Sequence, residues 1–475
     1  MNERDFPRLV VSATHKSAGK TTVAAGLLAA LSSRGLKAQP FKKGPDFIDP
    51  MWLSAASGLQ CRNLDNFMFG WDKLEALFRR VALSADVSII EGNKGLHDSA
   101  DVEGEGSVAN LARRLKAPVV MVLDASGTTR GIAPLLLGYK AFEPDVNIAG
   151  VILNKVGSAR HESKLRAVIE KYCGVEILGS IRRTDEMEIL ERHLGLVPIK
   201  EDESLSSMLD SLRRHVSYAL DLDRVLAIAS SAPPMEAEPP SPPTKAAPRR
   251  VRLGVVMDRA FTFYYPENLE ALEAAGAELV KVDAITTKRL PDGLDALYIG
   301  GGFPEMFMAQ LEANEGLKDG IRLAVEDGMP VHGECGGLIY LSKSVSHKGR
   351  RAAMIGALDC DVVIREKPKG HGYMVVEPTG KSPWMNNAAQ IRAHEFHYGE
   401  VVNLRHAEFA FRVARGTGIN GRDDGIVYKN VTASFAHLHH LACPYWAADF
   451  VAFAERTAFG KSAGRKGPPV LAAIK

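Results

Sequence analysis

The feature that most restricts the fold is a strand, a phosphate-binding loop and a helix near the N-terminus, followed by further buried strands. Residues 9–12 form a short apolar run, and residues 13–22 (ATHKSAGKTT) lead from it into a helical run over 23–31. Three more apolar runs, at 87–91, 118–124 and 148–154, alternate with amphipathic segments. Strands that are apolar on both faces and alternate with helices indicate a parallel sheet covered by helices. The sequence therefore predicts an α/β domain.

The loop has the residue types of a nucleotide site. Backbone N–H groups at the start of the helix would face a phosphate, Lys20 would reach the terminal phosphates, and the Thr21 hydroxyl would ligate Mg²⁺. Gly19 and Thr22 complete the Gly-Lys-Thr-Thr run, whereas Thr14 stands where such loops usually begin with glycine. A helix cap with an exposed lysine is the structural alternative. The sequence predicts ATP and Mg²⁺ as cofactors.

Polar residues follow several of the predicted strands. Because ligands of parallel sheets bind beyond the carboxyl ends of the strands, Glu91, Asp124 and Asn154 are expected near the nucleotide. Glu91 is the acidic residue predicted to hold Mg²⁺. Asn154 is predicted to contact the nucleotide base, and a strand-end cap is the alternative for it.

Two loops carry carboxylates that a simple ATPase does not need. Residues 43–50 (KGPDFIDP) contain Asp46 and Asp49, and residues 91–98 (EGNKGLHD) end on Asp98. Glycine and proline restrict the backbone of both loops, so these carboxylates should be presented in fixed directions.

A proline-rich segment divides the chain. Residues 231–250 hold seven prolines and no apolar periodicity, which is typical of an extended linker. We predict an ATP-binding domain over 1–230, a linker over 231–250, a second domain over 251–458 and a flexible tail over 459–475.

The second half presents a nucleophile. Cys335 lies on a glycine turn between an apolar run and a helix-like segment, and His437 and His439 follow later as candidate bases. Three glycines at 300–302 and Gly336 offer unhindered N–H groups to an oxyanion. A free cysteine is often only a small buried hydrophobe, which is the structural alternative. A thiol of pKa about 8.5 needs a neighbouring base to react at neutral pH, which gives a histidine a role.

Composition restricts the partners and the compartment. A formal net charge of +2 does not indicate a nucleic-acid surface. Five scattered cysteines without a CxxC pair favour a reducing cytoplasm, and no apolar run has the length of a membrane span. We expect a cytoplasmic protein that binds small molecules, with no nucleic acid and no membrane as partner. A homodimer is left open as its assembly.

Taken together, these segments resemble the cobyrinate a,c-diamide synthase family, whose members amidate carboxylates of corrins and related tetrapyrroles. The resemblance rests on the phosphate loop, on segments 43–50, 63–65, 91–98, 150–157 and 191–196, and on segments 263–269, 300–302, 331–338, 393–398 and 435–439. It implies a P-loop domain of the dethiobiotin-synthetase type joined to a class I glutamine amidotransferase-like α/β domain. It also implies a carbon–nitrogen ligase that uses L-glutamine as nitrogen donor.

The resemblance implies roles for individual residues. Cys335 would be the nucleophile, His437 its base, and His439 would stand where the orienting acid of a triad usually stands. Asp46, Asp49 and Asp98 would lie around the reacting carboxylate and phosphate.

The implied acceptor is a tetrapyrrole polycarboxylate. The first choice is cobyrinate, amidated on its a- and c-acetates through an acyl phosphate. Phe47 and segment 371–374 depart from the family pattern near the substrate, so hydrogenobyrinate, Ni-sirohydrochlorin and siroheme remain alternatives.

Two other classes of protein compete with this interpretation. One is an ATP-driven partitioning or assembly switch, but such proteins often carry lysine at the position of His15, whereas here the lysine is Lys16. The other is a cysteine hydrolase with a regulatory nucleotide domain, against which the carboxylate-rich loops argue.

Overall fold

The structure, a computed structural model, describes residues 3–183, 203–236, 250–385 and 389–465. The chain divides into two compact units, Met1–Ser241 and Pro242–Lys475. This division falls inside the segment predicted as a linker, most of which lies outside the described residues. Segment 191–196, which contributed to the resemblance, lies outside them as well.

Within its described residues, the first unit is built on a seven-stranded parallel sheet of order β4-β3-β5-β2-β6-β7-β8. The strands described in the first unit are β1 Glu3–Arg4, β2 Arg8–Ala13, β3 Ala38–Lys43, β4 Arg62–Leu64, β5 Val87–Glu91, β6 Val119–Asp124, β7 Ile148–Val156, β8 Glu176–Arg182 and β9 Met235–Glu236. Strands β1 and β9 form a separate two-stranded sheet. Its helices are α1 Lys20–Ser33, α2 Ile48–Ser57, α3 Asn66–Ala82, α4 Val108–Arg114, α5 Ile132–Phe142, α6 Ala159–Tyr172, α7 Glu203–Ala219 and α8 Leu222–Ser230. Since β2, β3 and β5 are adjacent and parallel, the residues that follow them meet at one edge of the sheet.

The short strand β9 lies inside the predicted linker. It pairs with β1 in antiparallel fashion, and the side chain of Met235 is buried. Apolar burial and ladder hydrogen bonds thus extend the ordered part of the first unit beyond residue 230.

Helix α1, which starts at the phosphate loop, is buried around most of its circumference and packs against α7. A Cβ atom at Gly26 would lie 2.3 Å from Cγ2 of Val216 on α7. Only glycine allows the two helices to approach this closely, so the position of helix α1 is fixed by its packing against α7.

The second unit contains a nine-stranded mixed sheet within its described residues, of order β11-β10-β12-β13-β22-β21-β20-β17-β18. The first five strands are parallel and the remaining pairings are antiparallel. A four-stranded sheet of order β15-β14-β16-β19 accompanies it. The strands are β10 Val251–Val256, β11 Ala277–Val282, β12 Ala296–Ile299, β13 Val331–Glu334, β14 Ser344–His347, β15 Arg350–Ala353, β16 Asp361–Ile364, β17 Gly370–Pro378, β18 Ile391–His397, β19 Gly399–Val402, β20 Glu408–Arg415, β21 Asp423–Tyr428 and β22 Val431–Ser434.

The helices of the second unit are α9 Pro266–Ala274, α10 Met308–Ala313, α11 Glu315–Glu326, α12 Gly336–Leu341 and α13 Trp446–Arg465, with a 3₁₀ turn at Pro304–Phe307. Helix α13 continues past residue 459, so the first part of the predicted tail is helical. Burial of Trp446 and Phe450 fixes the start of this helix, and adding residues to a formed helix is far easier than nucleating one. Residues 466–475 lie outside the described residues.

None of the helices in the described ranges combines the length and the apolar composition that a transmembrane span needs.

Candidate active sites

The phosphate loop lies between β2 and α1 and has the backbone of an anion cradle. Ser17 and Gly19 have φ angles of 67° and 90°, in the left-handed region that glycine adopts most readily. The Lys20 ammonium donates to the carbonyl oxygen of His15 at 3.0 Å. Burial, together with the nearby Lys42, lowers the pKa of Lys20 to about 8. The side chain predicted to reach the phosphates is thus held over the loop.

Thr21 and Glu91, the residues predicted to hold Mg²⁺, are in direct contact. The Thr21 hydroxyl donates to Glu91 Oε1 at 2.6 Å. Burial raises the pKa of Glu91 to about 7, and its second oxygen, Oε2, has no hydrogen-bond partner among the described residues. Hydroxyl and carboxylate oxygens are the protein ligands that Mg²⁺ prefers, so these residues fit the ion.

A buried lysine that sequence reasoning missed joins the carboxylates of this site. Lys42, at the end of β3, is 2% exposed, and its Nζ lies 2.5 Å from Asp49 Oδ2 and 3.1 Å from Glu91 Oε1. Burial alone would lower the pKa of Lys42, but the two carboxylates outweigh it and raise the pKa. The signal available in the sequence was a pair of lysines ending a buried parallel strand.

The three predicted aspartates occupy different positions around this site. Asp46 precedes helix α2 and accepts from the N–H groups of its first two residues, Ile48 and Asp49, at 2.8 and 3.2 Å. Burial, together with the neighbouring Asp49, raises the pKa of Asp46 to about 7. Asp98 accepts from the N–H of Gly95 at 2.8 Å.

Asp49 and Asp98 also act on the Lys20 ammonium, as Glu91 does, and all three carboxylates oppose the lowering of its pKa. Lys20 and Lys42 therefore share Glu91 and Asp49, and their two ammonium groups can stabilise negative charge on a phosphate.

Asn154 braces the phosphate loop. Its side-chain amide donates to the carbonyl oxygen of Ala18 at 2.9 Å, and the neighbouring Lys155 donates to that of Ser17 at 2.9 Å. These bonds connect the end of β7 to the loop. Contact between Asn154 and a nucleotide base stays a prediction.

Cys335 lies on a strained turn between β13 and α12, with φ 48° and ψ −95°. The glycine after next makes the turn possible, because a Cβ atom at Gly337 would lie 2.1 Å from the carbonyl oxygen of Ile299. The thiol donates to the carbonyl oxygen of Phe396 at 3.7 Å. Burial raises the pKa of Cys335, Glu305 raises it further, and the N–H of Gly336 opposes the increase. A strand-to-helix turn of this strained kind is how α/β enzymes expose a nucleophile.

The predicted glycine loop lies between the cysteine turn and the histidine. A Cβ atom at Gly301 would lie 2.6 Å from Cε1 of His437, and one at Gly336 would lie 2.9 Å from the backbone nitrogen of Gly302. The structure therefore brings the three predicted parts of this site together, and only glycine leaves room for His437 at this point.

His437 is buried and neutral. Its backbone N–H donates to the carbonyl oxygen of His394 at 2.8 Å, and the two imidazoles stack with ring centers 4.8 Å apart. Burial lowers the pKa of His437 to about 4, against the opposing charge of Glu334. A neutral imidazole can accept a proton, as a base for a thiol must.

Glu334, which sequence reasoning also missed, supplies a carboxylate at this histidine. Its Oε2 lies 4.0 Å from Nδ1 of His437 and accepts from the hydroxyl of Tyr298 at 2.9 Å. Its Oε1 is 3.1 Å from Nε2 of His332 and accepts from the N–H of Leu438 at 3.2 Å. Burial would raise the pKa of Glu334, but these partners lower it overall. The signal available in the sequence was a glutamate immediately before the cysteine, at the end of a short strand that is buried throughout.

His439 lies with a different carboxylate. Its Nε2 is 3.5 Å from Oε2 of Glu267, its Nδ1 accepts from the N–H of Leu441 at 3.1 Å, and its ring is 4.5 Å from that of Tyr265. The carboxylate beside Nδ1 of His437 is therefore that of Glu334, whereas His439 lies with Glu267.

Comparison with known proteins identifies both units. Residues 9–197 match the family model of the CobQ/CobB/MinD/ParA nucleotide binding domain. Residues 252–444 match that of the CobB/CobQ-like glutamine amidotransferase domain. These matches confirm the predicted fold class, a P-loop parallel-sheet domain followed by a glutamine amidotransferase-like α/β domain. The boundaries predicted for the domains stay predictions.

Three relatives that match this chain over most of their own lengths have the same name. A cobyrinate a,c-diamide synthase of Magnetococcus marinus is 47% identical over 96% of this chain and 99% of its own length. Those of Archaeoglobus fulgidus and Methanosarcina acetivorans are 43% and 39% identical over 94% and 92% of this chain, and over 97% and 93% of their own lengths. The predicted family and enzyme class, a glutamine-dependent carbon–nitrogen ligase, are confirmed. The chain belongs to the cobyrinate a,c-diamide synthase family.

Proposed function

We propose that this chain uses ATP, Mg²⁺ and L-glutamine to amidate the a- and c-acetate carboxylates of cobyrinate through an acyl phosphate. The observation that carries the proposal is the pairing of two chemistries on one chain. One unit holds a strained Cys335 and a buried His437 on either side of the glycine loop, and the other holds a phosphate loop together with carboxylates and Lys42. Relatives of the same length bear the name of this reaction.

In the amidotransferase unit, His437 takes the thiol proton as the sulfur of Cys335 attacks the side-chain amide carbon of glutamine. The N–H groups of Gly302 and Gly336, whose backbones lie close together, receive the oxyanion. Ammonia leaves with the proton carried by His437, and water then hydrolyses the thioester to glutamate. Glu334, whose carboxylate lies 4.0 Å from Nδ1 of His437, orients the ring and stabilises its protonated form. We assign this role to Glu334 in place of His439.

In the nucleotide unit, Lys20 and the loop N–H groups bind the phosphates of ATP. Thr21 and Glu91 would hold Mg²⁺, which supplies positive charge to the phosphates when bound. A substrate carboxylate oxygen attacks the γ-phosphorus, ADP leaves, and the acyl phosphate then reacts with ammonia to give the amide and phosphate. Lys42 stabilises negative charge on the transferred group, with Asp49 fixing its position. Asp98, which acts on Lys20, positions that ammonium.

A mass-shift assay tests the proposal. The enzyme is incubated with ATP, Mg²⁺ and glutamine against cobyrinate, hydrogenobyrinate, Ni-sirohydrochlorin and siroheme, and exchanges of OH for NH₂ are counted. We expect two exchanges on cobyrinate, with a heavy-oxygen label in its carboxylates passing to phosphate. Faster amidation of another macrocycle would overturn the assignment of the acceptor, and absence of label transfer would overturn the acyl phosphate. A homodimer stays a prediction, which light scattering can check.

A further inference from the structure

Glu305 is a carboxylate at the cysteine site to which the proposed reaction gives no role. It lies in the 3₁₀ turn Pro304–Phe307 that follows the glycine loop, and it is half-buried. A Cβ atom at Gly336, next to the nucleophile, would lie 3.2 Å from Cδ of Pro304. The turn carrying Glu305 is therefore packed against the start of helix α12, one residue from Cys335.

Glu305 differs from the other carboxylates that act on the thiol. Glu334 and Asp424 also act on Cys335, but the oxygens of both are occupied by hydrogen bonds inside the protein. Within the described ranges, Glu305 has only its own backbone N–H and no cationic side chain as partner. Burial accordingly raises the pKa of Glu305 to about 7. The half-buried carboxylate of Glu305 is therefore available to bind a cation from outside the chain.

The proposed nitrogen donor supplies such a cation at the right distance. When the amide carbon of glutamine is at the sulfur, its α-ammonium lies four bonds away, which is roughly 5 Å in an extended side chain. A group that binds the ammonium must therefore lie close enough to act on the thiol electrostatically. Of the carboxylates that act on Cys335, Glu305 contributes the largest charge effect.

We propose that Glu305 binds the α-ammonium group of L-glutamine and so selects a free amino acid as the nitrogen donor. This inference rests on the proposed function, since it requires glutamine to be the substrate of Cys335. The ion pair also offsets a negative charge that opposes thiolate formation, so the donor favours its own attack once it is bound.

The test compares two donors that differ only in the α-amino group: L-glutamine and glutaramate, which keeps the amide and the α-carboxylate. Glutaminase kcat/KM is measured on the full chain with ATP, Mg²⁺ and cobyrinate present. A charge-assisted hydrogen bond predicts that Glu305→Gln lowers kcat/KM for glutamine about 10- to 100-fold and changes that for glutaramate less than about 3-fold. Glu315→Gln, at the exposed start of helix α11, is the matched control and should leave both values unchanged.

Two results would overturn the inference: an equal loss with both donors, which indicates a structural role, or no loss with either. Failure of the proposed function is distinguishable from both, because the unsubstituted enzyme would then release no glutamate from glutamine. Glutaminase activity retained with glutaramate shows that the amidotransferase unit of Glu305→Gln is folded.

Discussion

Substituting Glu334 by glutamine tests how the cysteine site activates its base. The replacement keeps the volume of the side chain and one oxygen, which can accept from Tyr298 or from Leu438 but not from both, since these groups donate to different oxygens of Glu334. It removes the negative charge. That charge lies 4.0 Å from Nδ1 of His437, and both side chains are buried. A unit charge at this distance is worth about 4 kcal/mol at an effective dielectric constant of about 20.

This energy stabilises the imidazolium that forms as the thiol loses its proton. Its loss predicts a fall in glutaminase kcat of roughly 10³-fold. Ammonia-supported amidation should be unchanged, since it does not use Cys335. The assay is glutamate release at saturating glutamine, paired with amide formation from ammonium chloride.

A matched variant separates Glu334 from the neighbouring histidine pair. Glu267→Gln makes the same change beside His439, where the carboxylate is 3.5 Å from Nε2. We expect it to reduce glutaminase activity far less than Glu334→Gln does. If Glu334→Gln stayed within about 3-fold of the unsubstituted enzyme, or if Glu267→Gln were the more damaging change, the assignment of Glu334 would be refuted.

Further predictions follow from three buried groups. Replacing Lys42 by methionine leaves Glu91 without its buried cation, so the free energy of unfolding in urea should fall by about 3–5 kcal/mol. Amidation should be lost with both nitrogen donors. Unchanged stability would contradict the ion-pair cluster. Burial lowers the pKa of His437 to about 4, so the acid limb of glutaminase kcat/KM should lie near pH 4. Because the unfolded histidine binds a proton at a higher pH than the native one, this residue should lower stability as the pH falls from about 6.5 to 4, by about 3 kcal/mol in urea titrations. Gly26→Ala should destabilise the first unit by about 1–3 kcal/mol through overpacking. Gly138→Ala, at a helical position where a Cβ atom meets nothing within 4 Å, should stabilise the unit slightly. Equal effects of the two substitutions on urea unfolding would refute the overpacking at Gly26.

Local patterns were enough to predict the backbone of both candidate sites. The phosphate loop and the cysteine turn each depend on a few neighbouring residues whose glycines set the backbone, so the sequence was enough to propose Lys20 and Cys335 as site residues. The order of apolar runs likewise predicted a parallel sheet. These features are encoded within a few residues of one another.

The missed residues depend on contacts between distant segments. Lys42 has a role only because β3 lies beside β5 and brings it to Glu91. Glu334 is adjacent to Cys335 in sequence, yet the orienting role that we propose for it depends on the chain returning at His437. The family resemblance placed His439 where the orienting acid of a triad usually stands, but its ring lies with Glu267 instead.

The boundaries show a similar limit. Proline content suggested that the first unit ends near residue 230, but pairing with the N-terminal strand orders residues up to Glu236. Glycine and charge suggested a tail from residue 459, but helix α13 runs to Arg465. Composition reports average tendencies, and tertiary contacts decide individual positions.

The central claim is that Cys335 supplies ammonia to a carboxylate that the ATP-binding unit activates. The most direct test is Cys335→Ser, assayed for amide formation on cobyrinate with ATP and Mg²⁺. We predict no amide from glutamine and, with ammonium chloride as donor, amidation at the rate of the unsubstituted enzyme. Equal loss of amidation with both nitrogen donors would contradict the division of labour between the two units.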